Sequence, residues 1–114
     1  KNVKPEPAMV TNDHLFLKVE TRLVKVKEED ILYVEAKGDY VLFKTVEKGH
    51  IVHSTMKKVE EKLNPARFLK VHRSFIINLD HVVDIEDSSL VINQKVIPVS
   101  RSNKETLLSR INTF

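Results

Sequence analysis

Ile31-Leu-Tyr-Val-Glu-Ala36, then Lys37-Gly38-Asp39, then Tyr40-Val-Leu-Phe-Lys-Thr-Val46: two runs rich in β-branched and aromatic residues are parted by a short break that holds a glycine. Such runs are too short for ordinary helices, and a break of this kind joins two antiparallel strands as a hairpin. The same punctuation extends in both directions. Upstream, His14 to Val19 and Arg22 to Lys27 are separated by Glu20-Thr21, and downstream the pair 31–46 is followed by His50 to Ser54. After an interruption come Phe68 to Val71, Phe75 to Asn78, Val82 to Glu86, Leu90 to Ile92 and Lys95 to Val99. With breaks this short, neighbouring strands are expected to pair antiparallel.

The interruption, Thr55 to Leu63, changes period. Met56, Val59 and Leu63 fall on one face, the charged Lys57, Lys58, Glu60 and Glu61 lie elsewhere, and Asn64-Pro65 forms a stop. This is the pattern of a short amphipathic helix capped by Ser54 or Thr55. The tail repeats it: Ser102 and Glu105 have capping-box spacing, and Leu107, Leu108, Ile111 and Phe114 form a stripe expected to pack on a sheet. The expected fold is mostly β, with one short internal helix and a C-terminal helix. Lys1 to Asn12 carries Pro5 and Pro7 and no apolar period, and reads as a linker from an upstream domain, leaving 13–114 as the folded unit.

The 114 residues suit one domain, and 41% hydrophobic with 31% charged residues is ordinary usage for a soluble globular chain. No apolar run approaches the roughly 20 residues that span a bilayer, so no membrane partner is expected and the domain reads as cytoplasmic. The absence of cysteine excludes disulfides, thiolate zinc sites and a cysteine nucleophile. With only Gly38 and Gly49 there is no glycine-rich phosphate loop. His50 and His53 sit at an odd spacing, which points two strand residues to opposite faces, so no metal site is expected. Nor is a serine nucleophile elbow present. Neither an enzyme, a cofactor nor a small-molecule substrate is indicated.

Three breaks combine a turn with polar donors that suit phosphates or base edges. They are Lys37-Gly38-Asp39-Tyr40, Lys70-Val71-His72-Arg73-Ser74, and Ser100-Arg101-Ser102-Asn103-Lys104. An arginine can grip guanine bidentately or a phosphate, and free amides at a helix start favour anions. Each break also has a plainer reading. The first fits a simple hairpin turn, the second fits surface cations covering an apolar edge, and the third fits a helix cap.

Three stretches together resemble the LytTR family of bacterial DNA-binding domains: Asp30 to Tyr40, Phe68-Leu-Lys-Val-His-Arg-Ser-Phe-Ile-Ile-Asn78, and Ile97-Pro-Val-Ser-Arg-Ser102. They occur in the family's order, and the similarity runs from about His14 to Phe114. The middle stretch, with His-Arg-Ser ahead of apolar residues and a closing Asn, is the most specific. The resemblance implies elongated, stacked antiparallel sheets and a place behind the receiver domain of a two-component response regulator. It also implies binding to double-stranded promoter DNA with paired short repeats, as a homodimer in the full-length protein, with loops in successive major grooves. Carried over residue by residue, the contacts fall on Lys37, Gly38, Asp39 and Tyr40, on His72, Arg73 and Ser74, and on Arg101, Ser102 and Lys104. In this reading Arg73 and Arg101 supply most of the direct readout, while the acidic Asp39 accepts from a cytosine amine or orients Lys37.

A second reading is a protein-interaction or dimerisation module that uses hairpin edges and the last helix. It expects an exposed apolar surface near Leu107, Ile111 and Phe114, and binding insensitive to salt. RNA binding ranks third, because the few aromatics lie mainly in strand patterns and offer no stacking platform.

Overall fold

A computed structural model describes residues 14–113. The proposed linker, Lys1 to Asn12, and Phe114 of the C-terminal stripe lie outside the described residues. The elements are β1 (His14–Val19), β2 (Arg22–Lys27), β3 (Ile31–Lys37), β4 (Tyr40–Thr45), β5 (Gly49–Val52), α1 (Met56–Lys62), β6 (Phe68–His72), β7 (Phe75–Asn78), β8 (Asp84–Ile85), β9 (Ser89–Ile92), β10 (Lys95–Pro98) and α2 (Arg101–Ser109). Every strand expected from the alternation is present. The largest trims are at 53–54, after β5 ends, and at 82–83, before β8 begins. Short 3-10 turns at Glu28–Asp30 and Leu79–His81 lead into β3 and out of β7.

All pairings are antiparallel. β1 and β2 form a separate hairpin, β10-β9-β8 a three-stranded sheet, and β5-β4-β3-β7-β6 a five-stranded sheet. The five-stranded sheet is the middle layer. On one face Ile31, Val34 and Ile76 pack with Leu17, Val26, Val59 and Leu63 of the β1–β2 hairpin and the α1 region. On the other, Leu32, Tyr33, Phe75 and Ile77 pack with Leu90, Ile92, Ile97 and Leu107 from β9, β10 and α2. A strand covered on both faces has no polar side to show water, which is why β3 and β7 read as nearly unbroken apolar runs. Their pairing, Glu35 opposite Phe75 and Tyr33 opposite Ile77, joins segments on either side of α1.

Thr55 caps α1, its Oγ1 accepting from Lys58 N at 3.2 Å, and Leu63 is already extended. The C-terminal helix departs from expectation. Its N-cap is Ser100, so Ser102 and Glu105 lie within the helix and form no capping box. Ser100 Oγ accepts from Asn103 Nδ2 at 2.6 Å, a local bond that fixes the helix start where the tie of Ser100 N to Val71 O places it. Leu107 is wholly buried, Ile111 is half-buried and Leu108 is exposed, so the stripe is narrower than the spacing suggests. No described helix is long and apolar enough to cross a membrane.

Candidate nucleic-acid interface

Antiparallel topology decides which loops become neighbours. β3 ends, β7 begins and β6 ends at one edge of the middle sheet, so the first two polar breaks emerge side by side. The first is a two-residue turn, Gly38-Asp39, between the paired Lys37 and Tyr40. Gly38 has φ +64, the left-handed value required at the first position of a turn that continues the strand twist. The second is also a two-residue turn, Arg73-Ser74, between His72 and Phe75. It exists because the register shifts between Lys70 and His72, making Val71 the extra residue of a bulge. Bulges bend a strand and re-aim its side chains, and this one sets Arg73 at a hairpin tip.

Backbone bonds tie the three breaks together. Ala36 N donates to Ser74 O at 2.9 Å, fixing the first tip to the second, and Ser100 N donates to Val71 O at 2.8 Å, fixing the start of α2 to the bulge. Lys70, His72 and Arg73 share a shallow cleft of about 390 Å³ with Ser100, Ser102 and Asn103. The first tip borders a different depression, shared with His53, Ser54 and Lys58.

The side chains differ in how free they are. Arg73 and Arg101 are exposed and make no ion pair with a described residue. Lys37 is 3.5 Å from the Glu35 carboxylate, two residues along the same strand face. Lys104 bonds the Asp87 carbonyl and lies 3.4 Å from its carboxylate, so it is held toward the β8–β9 turn. Asp39 is exposed, and Ser102 Oγ lies 3.3 Å from Ser100 Oγ. His72 Nδ1 accepts from Ser74 N at 3.1 Å, so the neutral ring carries its proton on Nε2, which is left as the donor. Beneath it a column of rings runs into the core: His72 to Phe75 at 6.0 Å and Phe75 to Tyr33 at 6.2 Å between centroids. Burial, with Glu35 nearby, pushes the Tyr33 phenol above its ordinary value and keeps it neutral.

Lys70, Ser100 and Asn103 stand in the polar breaks, yet only the bulge and the Ser100 tie show that they wall the same cleft as Arg73. His53 carried no signal of its own. The register that sets Val41 opposite Val52 brings it to Tyr40, ring edge to face at 5.1 Å. No group of three or more His, Cys, Asp or Glu with metal-binding geometry occurs among the described residues.

The family described as LytTr DNA-binding domain matches residues 21–112. Sensory transduction protein LytT of Bacillus anthracis is 36% identical over 99 residues, covering 82% of this chain and 40% of that protein. Transcriptional regulatory protein YpdB of Escherichia coli strain K12 is 29% identical over 98 residues, covering 80% of this chain and 40% of that protein. The chain thus spans about two-fifths of the length of these relatives. In structure, a LytTr DNA-binding domain from Bacillus cereus superposes with a TM-score of 0.76 at 23% identity, covering 90% of this chain and all of that one, which establishes the fold.

Proposed function

The chain belongs to the LytTR family of DNA-binding domains, and we propose that it is the promoter-reading output unit of a longer bacterial response regulator. The observation that carries the proposal is the convergence of three polar breaks at one end of the middle sheet, with two arginines that make no ion pair with a described residue. An exposed guanidinium with no carboxylate beside it is matched to phosphate or to the O6/N7 edge of guanine. Its role is binding rather than catalysis.

In this mechanism the hairpins are a stiff frame. Arg73, at a two-residue tip, and Arg101, in the first turn of α2, enter the major groove and supply most base discrimination. Nε2 of His72 donates to a phosphate or a purine acceptor, and Ser74 holds the ring through its amide. Lys37, Gly38 and Tyr40 present the first tip to the backbone, where Asp39 accepts from a cytosine amine or orients Lys37. Ser102 adds a phosphate donor. Lys104 must leave Asp87 to reach a phosphate, so its share of the affinity is smaller. Pairing of two domains on two short repeats, as a homodimer of the full-length protein in the cytoplasm, completes the model of action.

The interaction-module reading expects apolar surface around Leu107 and Ile111, but Leu107 is buried inside the fold and Ile111 is half-buried, which leaves Leu108 as the exposed apolar side chain of α2. The test is repeated selection of this domain against random duplex DNA at about 150 mM salt, where non-specific phosphate binding is suppressed. A short enriched motif that disappears with Arg73→Ala and with Arg101→Ala is the expected result. Enrichment of the same motif by either folded variant overturns the assignment of readout to that residue, and no enrichment by a dimerised parent overturns promoter reading itself.

A further inference from the structure

Between β1, β5 and α1 lies a crevice of about 250 Å³ that plays no part in DNA reading as described above. Its walls are mostly apolar, with Leu15 and Leu17 of β1, Phe43 of β4, Val52 of β5, Val59 of α1 and the following Leu63, and it shares His53, Ser54 and Lys58 with the depression at the first tip. Lys18, Lys58 and Lys62 also line it, and no carboxylate does. None of these lysines makes an ion pair with a described residue. Lys58 and Lys62 are one helical turn apart on α1, a spacing at which like charges repel. A second crevice, beside Lys25, Lys27 and Lys48, differs in holding Asp30 and Glu47, so its cations have anionic neighbours in the fold.

We propose that the crevice beside α1 is a binding site for a small amphiphilic monoanion, a carboxylate carried on an apolar body. The apolar walls favour a hydrocarbon that displaces water, and the unanswered lysines favour one negative charge at the mouth. Its volume lies below the range usual for drug-sized ligands, which limits the occupant to on the order of ten heavy atoms. Long lysine stems can follow the body while their ammonium groups reach the head. A cation gains nothing there, and a neutral amphiphile gains only the apolar part.

The probe is octanoate below its micelle concentration, titrated into the isotopically labelled 114-residue chain and followed by amide chemical shifts. Saturable shifts confined to the neighbourhood of Leu17, Val52 and Val59 are expected. Octanol should bind about tenfold more weakly, having lost the charge-assisted contact. The triple variant Lys18→Gln, Lys58→Gln, Lys62→Gln should weaken octanoate about fivefold, as three partly exposed pairs together allow. A control pair, Lys25→Gln with Lys27→Gln, should leave it unchanged. Shifts that do not saturate, equal binding of octanol, or equal loss in the control pair each overturn the site. So does octanoate binding seen only after residues 1–12 are removed, since the crevice then seats the chain's own N-terminal segment.

Discussion

Both ends of the five-stranded sheet are polar, but they spend their polar groups differently. At the end where β3 begins and β7 finishes, side chains bond inward. Asn78, wholly buried, donates to the carbonyls of Ile31 at 3.0 Å and Glu28 at 3.4 Å, and accepts from Asp80 N at 3.0 Å. Buried Glu28 accepts from Asn64 N at 3.3 Å and lies 3.8 Å from Arg67, while His81 Nε2 meets Glu29 O at 2.7 Å. At the opposite end the backbone does the tying, through Ala36 to Ser74 and Ser100 to Val71, and the exposed Arg73 and Arg101 make no ion pair with a described residue. A cation neutralised within the fold serves stability, whereas one kept stiffly placed and unpaired is available to an anion from outside. The contrast separates Arg67 from Arg73 and Arg101, which composition cannot do.

The largest effect that would sharpen this contrast is expected from Asn78→Ala. It strands two carbonyls and an amide, of which the carbonyls are in the dry interior, and should cost about 3 kcal/mol of stability in urea titrations. The folded fraction should bind DNA as the parent does. Next comes a crossed pair. Arg67→Ala, which removes a partner of Glu28, should cost about 1–2 kcal/mol of stability and leave DNA affinity intact. Arg101→Ala should do the reverse, losing about 1–3 kcal/mol of specific binding with an unchanged urea midpoint. If both variants lose stability and affinity together, the division of the two ends fails. A finer cut lies within the reading end. Both lysines have a carboxylate at similar distance, but Lys37 meets Glu35 alone and is half exposed, whereas Lys104 is held by the carbonyl of Asp87 as well as its carboxylate and is less exposed. Lys37→Ala should therefore lower the slope of log affinity against log salt by up to about 0.9, one phosphate's worth, and Lys104→Ala should lower it less.

This contrast was only half visible in the sequence. Hairpin partners are close along the chain, so period-2 alternation and turn residues disclosed each strand of the pairs 14–27, 31–46 and 68–78. The short helix was equally legible, because Met56, Val59 and Leu63 repeat at helical spacing. What alternation cannot say is which hairpins share a sheet. β3 meets β7 across about forty residues of chain, and the only hint was that both runs are apolar on both faces. The bulge at Val71 was hidden for a different reason: it depends on register against Phe75 and Ile76, a property of two strands rather than one. The start of α2 misled through chemistry, since Ser102 and Glu105 have the right spacing for a capping box, but the Ser100–Val71 tie fixes the turn two residues earlier. Asn78 belonged to the most specific stretch of the family resemblance, and the structure shows it bonding scaffold rather than facing the reading end.

The inward-bonded end should also be the one that feels acid. His50 is buried where β5 starts, opposite Phe43, and burial, followed by Lys48 and Arg22, holds its imidazole below the ordinary value of 6.5 against a weaker opposing pull from Glu47. Above that value the ring is neutral folded or unfolded, and contributes no pH dependence. As the pH falls below it, the unfolded chain takes up a proton that the folded chain resists, so stability declines until the folded ring titrates as well. Urea midpoints at about pH 7.5 and about pH 5.5 should therefore differ less in His50→Gln than in the parent. An equal difference in both would place the acid sensitivity elsewhere.

The smallest effects concern turn strain, where the two ends again part. At Asn93-Gln94, joining β9 to β10 near His81, both residues are left-handed, with φ 48 and 73, and the second is a glutamine where glycine is preferred. Gln94→Gly should raise stability by about 0.5–1 kcal/mol through relief of that strain. Gly38→Ala is its mirror, forcing a side chain onto φ +64 at a cost of about 1 kcal/mol. A Cβ on Gly38 would meet nothing within 4 Å in the free protein, so backbone conformation is the only internal objection to it. DNA removes that simplicity. If the first tip approaches a phosphate, the methyl group must also displace the contact, and Gly38→Ala should lose more affinity than Gln94→Gly changes it in either direction. Loss of stability alone, with promoter affinity preserved, would make Gly38 a turn residue and move the first tip out of the interface.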